Sequence, residues 1–398
     1  SACLVGSEMC IRDRVMIAFL ISELNICGGT HKQFLKLLEY TEKRGEDFYI
    51  ITREVDLNKT YPEFQKYANR IRLFPFKRKS KSYLRKIWTL YKDIVTLRKL
   101  LKPADCVNIH DYGFELLLPA FYGKKVYWQI NDLPSFFRVG IANSSKRTLR
   151  DNLLKHYFLL FKGLVTDFSV NVTKNKERIK QTIGRDAHVF YCGIEPVGIE
   201  RNIQLSLDRF HKKRIHLLSS GVFFPYRNYE TQLLVVEKLL QRGVDVHLNI
   251  IGSTQLNKAY SDKIMSLIDG KHLGHFVTVC GQVDGKTFKK LHEDSDLFIF
   301  INVDQSWGLA VFEAMSCGLP VIVSKSVGAT EILSNNENAL FVDPMNVDEI
   351  IATIIGLMTN EEQYLQIVDV SRNFHNCYTW DKSYSSRMLN LMLENGTE

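Results

Sequence analysis

Asp304-Gln-Ser-Trp-Gly-Leu-Ala-Val-Phe-Glu-Ala-Met-Ser-Cys-Gly-Leu-Pro-Val-Ile-Val-Ser324 decides the fold of this chain. An apolar run, 297–301, precedes it, and a turn of small and polar residues runs through Gly308. A helical segment, 310–316, and a second apolar run, 321–324, follow. Strand, turn, helix and strand in succession are the repeating unit of a parallel sheet. Gly308 lets the backbone come close to a ligand. The free N–H groups and the positive dipole end of the helix that opens after it suit a diphosphate. Glu313, about one turn into that helix, carries two acceptor oxygens fit for a ribose diol. The plainer alternative is ordinary strand–turn–helix packing.

Outward from this segment the same alternation continues. Strands are expected at 15–21, 48–52, 106–109, 125–130, 163–169 and 187–191, with helices at 31–43 and 80–101. After a polar stretch, 195–202, the pattern restarts with strands at 215–219, 246–251 and 277–280 and helices at 229–242 and 259–268. The fold class is therefore α/β, with two doubly wound Rossmann-like domains joined near residue 200. Ligands in such folds bind at the carboxyl ends of the strands, so a central cleft faced by both domains is the expected site. The domains are expected at 15–199 and 200–376, with a C-terminal helix in 377–398 that crosses back to the first domain. Residues 1–14 have neither the apolar core of a signal peptide nor a secondary-structure period. They resemble a translated library adapter and are set aside from fold reasoning.

Composition narrows the function classes. The 398 residues are 45% hydrophobic with 9 prolines, which excludes disordered and collagen-like chains. Eight cysteines are scattered without a Cys-x-x-Cys or a Cys/His cluster, so a reducing, cytoplasmic setting and no zinc site are expected. No apolar run reaches the roughly 18–20 residues of a membrane-spanning helix. The formal charge of +8 is uneven: residues 1–200 hold 34 Lys and Arg against 21 Asp and Glu, net +13, and the remainder 18 against 23, net −5.

The quoted segment, followed by Gly328-Ala-Thr-Glu331, resembles the donor-site signature of retaining GT-B glycosyltransferases, in particular family 4. There, two glutamates eight positions apart flank a Gly-Phe-Gly-Leu-like turn. Glu313 matches the second glutamate, which the resemblance makes the ribose ligand, and Gln305 stands in place of the first. Trp307, Gly308, Leu309 and Ala310 match the turn that approaches phosphate and sugar. Gln305 keeps an acceptor and gains donors, so it can hold sugar hydroxyls but carries no charge for an oxocarbenium ion. Asp304 is adjacent and a candidate substitute.

Further matches occur in the family's order. Cys27-Gly-Gly-Thr-His-Lys32 follows the first strand, so Gly28 and Gly29 are candidate donor contacts and Thr30 an acceptor-side one. His110 ends the strand 106–109 where the family carries an active-site histidine, and Asn131 and Asp132 follow the next strand on the acceptor side. Gly221-Val-Phe-Phe-Pro-Tyr-Arg-Asn228 follows the first strand of the second domain. Val222 stands where the family places an arginine, leaving Arg227, with Asn228, to grip the diphosphate. Gly252 and the backbone near Val283 resemble the nucleotide-side loops. The absence of a Gly-x-Gly-x-x-Gly fingerprint disfavours a dinucleotide-dependent oxidoreductase.

The resemblance implies transfer of a sugar, with retention, from a nucleotide diphosphate sugar to an acceptor hydroxyl of a glycan, glycolipid or cell-envelope polysaccharide precursor. His110, Arg227 and Gln305 would be catalytic, and no obligatory metal is expected. A GT-B-like scaffold that binds nucleotide without turnover is the alternative, motivated by Gln305 and Val222.

The basic half has a reading of its own. Ten cations (Lys77, Arg78, Lys79, Lys81, Arg85, Lys86, Lys92, Arg98, Lys99 and Lys102) occur with one acid, Asp93, and a second run spans Lys146 to Arg150. Leu84, Ile87, Tyr91 and Ile94 fall at helical spacing, so that face is expected to pack inward with the cations outward. A solvated helix face and a peripheral contact with an anionic membrane are both open. Nucleic acid is disfavoured because no aromatic platform is expected on the exposed face.

Overall fold

The computed structural model describes residues 15–74, 82–131, 149–199 and 203–394. The 1–14 segment, Asp132, Lys77, Arg78, Lys79, Lys81 and most of the 146–150 run lie outside them. The chain divides into two compact units. Unit 1 comprises Ser1–Val170, Arg178–His188 and Tyr384–Glu398; unit 2 comprises Asn171–Glu177 and Val189–Ser383. The chain thus passes into the second unit at Asn171, earlier than the boundary near residue 200 read from sequence, and again from Val189.

Unit 1 is built from β1 (Met16–Leu24), α1 (Gly29–Lys43), β2 (Asp47–Val55), β3 (Ile71–Leu73), α2 (Tyr83–Leu100), β4 (Cys106–His110), β5 (Lys125–Ile130), α3 (Leu149–Phe161) and β6 (Asp167–Val170). α4 (Thr173–Ile183), whose first turn belongs to unit 2, and β7 (Ala187–Val189) follow. The sheet is parallel in the order β3-β2-β1-β4-β5-β6-β7. Every residue of β4 is buried, as expected for a central parallel strand covered on both faces.

Unit 2 holds α5 (Ile203–Phe210), β8 (Ile215–Ser220), α6 (Tyr229–Gln241), β9 (Val246–Ile251), α7 (Lys258–Gly270), β10 (Val277–Gly281), α8 (Gly285–Glu293) and β11 (Leu297–Phe300). It continues through α9 (Leu309–Ser316), β12 (Val321–Ser324), β13 (Leu340–Val342), α10 (Val347–Met358) and α11 (Glu361–Arg372). α12 (Ser386–Glu394) closes the chain and belongs to unit 1. The second sheet runs β10-β9-β8-β11-β12-β13, again parallel. Leu217, Leu248, Ile250 and Ile299 face a core completed by Val235 and Leu239 of α6, Ile264 of α7 and Ile354 of α10. The expected doubly wound α/β architecture is present in each unit.

Two details depart from the sequence reading. Residues 162–164 form a short 3-10 turn rather than the start of a strand, so β6 begins only at Asp167. On α2, the face expected to pack inward points out: Ile87 is 51% and Tyr91 56% exposed, and Trp88 beside them is 57% exposed. The helix is held at its other end, where Leu97 and Leu101 are buried and the 3-10 segment Glu115–Phe121 packs on it. Its N-terminal turns therefore extend past their support, and the apolar stripe there has no described cover.

Candidate functional site

Each sheet has a topological switch point, where successive crossovers leave in opposite directions and a crevice opens at the strands' carboxyl ends. In unit 2 this lies between β8 and β11. The loop after β8 carries Gly221, Val222 and Arg227; the loop after β11 carries Gln305, Trp307 and Gly308. The Val303 N–H donates to the Tyr226 carbonyl at 2.7 Å and ties the two loops together.

Arg227 lies against Gly221 so closely that a Cβ on the glycine would stand 2.3 Å from the guanidinium carbon. Its guanidinium stacks 5.5 Å from the centre of the Phe300 ring and 5.2 Å from that of Tyr226. Among the described residues no carboxylate pairs with Arg227, and its buried Nε has no acceptor. A half-buried cation left without its counter-charge at a sheet's carboxyl edge is suited to an anion.

Phe300 joins this cation to the helix start. Gly308 is the residue before α9, with φ +98°, and a Cβ there would stand 2.9 Å from the Phe300 ring. Only glycine adopts that backbone freely and leaves room for the ring. No side chain caps α9. Helix geometry therefore leaves the amides of Leu309 and Ala310 without carbonyl partners. Glu313 is half-buried one turn along. Trp307 stacks 5.3 Å from Tyr191, and its buried indole Nε1 has no acceptor among the described residues.

Other candidates have internal partners. Asn228, itself in the left-handed region, donates from Nδ2 to the Pro344 carbonyl at 2.9 Å and accepts from the Thr231 hydroxyl at 2.8 Å. Its backbone is engaged as well, the N–H donating to the Pro225 carbonyl at 3.1 Å and the carbonyl accepting from the Gln232 N–H at 3.3 Å, so Asn228 shapes the Arg227 loop from within. Gln305 accepts from the Asn302 amide through Oε1, which leaves its NH2 group to face a ligand. Gly252 meets the Gly221 carbonyl, where a Cβ would stand 1.9 Å away, so it is needed for two strand ends to cross closely. Val283 is half-buried in the turn before α8, which Asp284 caps by accepting from the Thr287 N–H at 2.7 Å.

Two participants, Lys174 and Ser326, escaped the sequence reading, and a third, Glu331, was quoted there without a role. Lys174 pairs with Asp304, so the carboxylate considered as a substitute for the missing glutamate is held by a cation. Glu331 accepts from the Thr173 and Lys174 N–H groups at 2.8 and 3.2 Å and caps α4. The Ser326 hydroxyl donates to the Asn302 carbonyl at 3.1 Å and supports the Gln305 loop. Lys174 is 130 positions from Asp304, and no local spacing announces such a pair.

In unit 1 the switch point lies between β1 and β4. Gly28 precedes α1, which no side chain caps, so Gly29 and Thr30 open a second helix start. His110 ends β4 and is wholly buried, with the Phe34 and Tyr384 rings 5.2 and 6.4 Å away. Among the described residues neither imidazole nitrogen completes a well-aligned hydrogen bond, although the Thr30 backbone lies beside the ring. Burial first, and the neighbouring His31 second, push its pKa down to about 3, with the Thr30 backbone acting the other way. The ring is therefore neutral near neutrality, able to donate from one nitrogen and accept at the other. Asn131 donates to the Gln33 amide oxygen at 2.8 Å and to the Thr30 hydroxyl at 3.4 Å, and accepts from Gln129, which accepts in turn from Ser169. This buried polar chain underlies Thr30. Among the described residues no group of three or more His, Cys, Asp or Glu could hold a metal ion.

Residues 205–374 match the family model of glycosyl transferases group 1. An uncharacterized glycosyltransferase of Methanocaldococcus jannaschii is 27% identical over 202 residues, covering 48% of this chain and 50% of that protein. The chain spans about half the length of the curated relatives it matches. Among solved structures, a sucrose-phosphate synthase from Thermosynechococcus elongatus superposes with a TM-score of 0.75 at 16% identity, over 96% of this chain and 99% of that one. Anabaena HepE in complex with UDP and glucose superposes with a TM-score of 0.73 at 13% identity, over 96% and 100%. At such identities the likeness concerns the fold, which is GT-B.

Proposed function

We propose, from the match of residues 205–374 to the family model of glycosyl transferases group 1, that this chain is a retaining glycosyltransferase. It takes a nucleotide diphosphate sugar as donor and passes the sugar to an acceptor hydroxyl of a glycan, glycolipid or polysaccharide precursor. The observation that carries the reading is Arg227, a half-buried cation with no carboxylate partner among the described residues, sharing the Phe300 ring with the uncapped start of α9. As the bond from the anomeric carbon to phosphate breaks, negative charge develops on the diphosphate. The guanidinium and the Leu309 and Ala310 amides are preorganised to meet it.

Glu313 takes the ribose hydroxyls, and Gly221, Gly252 and the backbone near Val283 line the nucleotide. In a retaining transfer the acceptor oxygen bonds to the anomeric carbon on the face the phosphate leaves, and its proton passes to a phosphate oxygen. The Gln305 NH2 group holds a sugar hydroxyl. Within unit 1, the uncapped start of α1 at Gly29 and Thr30, after Gly28, is a candidate substrate contact, and Asn131 supports Thr30 from beneath. The neutral His110 offers a hydrogen bond rather than a charge. No metal is obligatory, since Arg227 and the helix start supply positive charge.

One observation favours the scaffold alternative: the residue in place of the first glutamate has its carbonyl oxygen tied to Asn302. Incubation with UDP-, GDP- and ADP-sugars separates the two readings. Release of one nucleoside diphosphate, accelerated by an acceptor whose product keeps the donor's anomeric configuration by NMR, supports the enzyme. Tight nucleotide binding without release supports the scaffold.

A further inference from the structure

The outward side of α2 is the least explained surface of unit 1. Trp88, Tyr91 and Lys92, Val95, Arg98 and Lys99, and then Lys102 recur at three- and four-residue intervals and share one side of the helix. Ile87 and Trp88 stand exposed at its start, with Trp88 and Tyr91 stacked at 5.6 Å and Lys92 5.3 Å over the Trp88 ring. Toward the other end the stripe runs into a cleft of about 550 Å³ lined by Val95, Arg98, Lys99, Lys102, Tyr122 and Lys124. Arg98 lies 5.7 Å over the ring of Tyr122, itself 68% exposed, and the Lys124 ammonium donates to the Lys102 and Ala104 carbonyls. Among the described residues Lys92, Arg98, Lys99 and Lys102 have no carboxylate partner, whereas other cations of unit 1 do: Lys36 pairs with Glu39 and Lys66 with Glu42.

We infer that this stripe docks an anionic phospholipid membrane, with Ile87, Trp88 and Tyr91 seated at the interface and the basic cleft receiving a lipid phosphate. Aromatic rings with an aliphatic neighbour are the side chains that settle at headgroup depth, and clustered cations beside them complement anionic lipid. A purely solvated face would expose the cations without the ridge. The exposed Trp88 and Tyr91 rings overturn the expectation that this face lacks an aromatic platform, so single-stranded nucleic acid is the rival occupant that the test must reject. The site lies on α2 and is independent of the nucleotide-sugar reading of unit 2.

Trp88 provides the test, because the other tryptophans, Trp128, Trp307 and Trp380, are only 1, 3 and 6% exposed. The full chain is mixed with vesicles of phosphatidylglycerol and phosphatidylcholine, of phosphatidylcholine alone, or carrying brominated phosphatidylglycerol. The expected results are binding to the anionic vesicles, bromine quenching that disappears in Trp88→Phe, and more than tenfold weaker binding by Arg98→Gln/Lys99→Gln. That variant keeps the wild-type melting temperature and diphosphate release from soluble donor. Four results overturn the inference: equal binding to phosphatidylcholine alone, no quenching of Trp88, unchanged affinity in the double variant, or binding of inorganic phosphate without vesicle binding. So does protection of the ridge by a single-stranded RNA or by a second copy in preference to vesicles.

Discussion

Arg227 and His110 are the two side chains whose surroundings say most about their work. Arg227 is half-buried and, among the described residues, has no carboxylate to balance it, an arrangement that costs stability and is useful when the balancing charge arrives with a ligand. Arg227→Ala is expected to lower the rate of diphosphate release by roughly 10²-fold, as for loss of one preorganised donor to a developing anion, with the melting temperature little changed. Arg227→Lys keeps the charge but loses the flat guanidinium over Phe300, so it restores only part of the rate. His110 makes a separate prediction. Its folded pKa of about 3 lies below the ordinary histidine value, so between these two the unfolded chain binds the proton and the native protein does not. Stability is then lost as pH falls from about 6.5 toward 3, by up to about 1.4 kcal/mol per pH unit from this group. Denaturant titrations at pH 4.5 and 7 measure it. Substitution by Asn should flatten the dependence, and an equally steep slope in His110→Asn would refute the assignment.

At the scale of elements, the start of α9 depends on the backbone at Gly308. Gly308→Val forces a branched side chain into positive φ and against Phe300, which is expected to cost about 1–3 kcal/mol and to weaken nucleoside diphosphate binding more than tenfold. Calorimetric titration at a temperature where the variant is folded separates the two effects. α4 depends on Glu331, whose carboxylate accepts two of its first amides. Glu331→Ala should lower stability by about 1 kcal/mol in denaturant titration, as for loss of a helix cap. The helix starts were legible in sequence because Gly308 and Gly28-Gly29 each stand between a strand pattern and a helix pattern. The cover of α2 was not. Period tells that a helix has an apolar stripe at Ile87 and Tyr91, but only the neighbouring chain decides whether something lies on it, and the burial falls instead at Leu97 and Leu101.

At the scale of the whole molecule, alternation of apolar runs with helical segments was enough to read two parallel sheets, whereas the residues at their carboxyl edges were picked out by the resemblance to GT-B glycosyltransferases. The connections that hold those residues were illegible because they link distant positions: Lys174 to Asp304, Asn131 to Thr30 and Gln33, and Asn228 to Pro344. Side-chain partners of this kind also reassigned residues, leaving Asn228 and Asp304 engaged within the protein and Arg227 uncompensated. Since the proposed donor contacts lie mainly in unit 2, a bound nucleotide sugar at about a hundred times its Kd should stabilise the native chain by roughly 2.7 kcal/mol. Amide exchange should slow chiefly in the loops around Gly221, Gly252 and Gly308. The most direct test of the central claim is nucleoside diphosphate release by the purified chain from a panel of UDP-, GDP- and ADP-sugars, with Arg227→Ala alongside. The account predicts release from donors of one base, reduced about a hundredfold by the substitution. No release from any donor, or release that Arg227→Ala leaves unchanged, would contradict it.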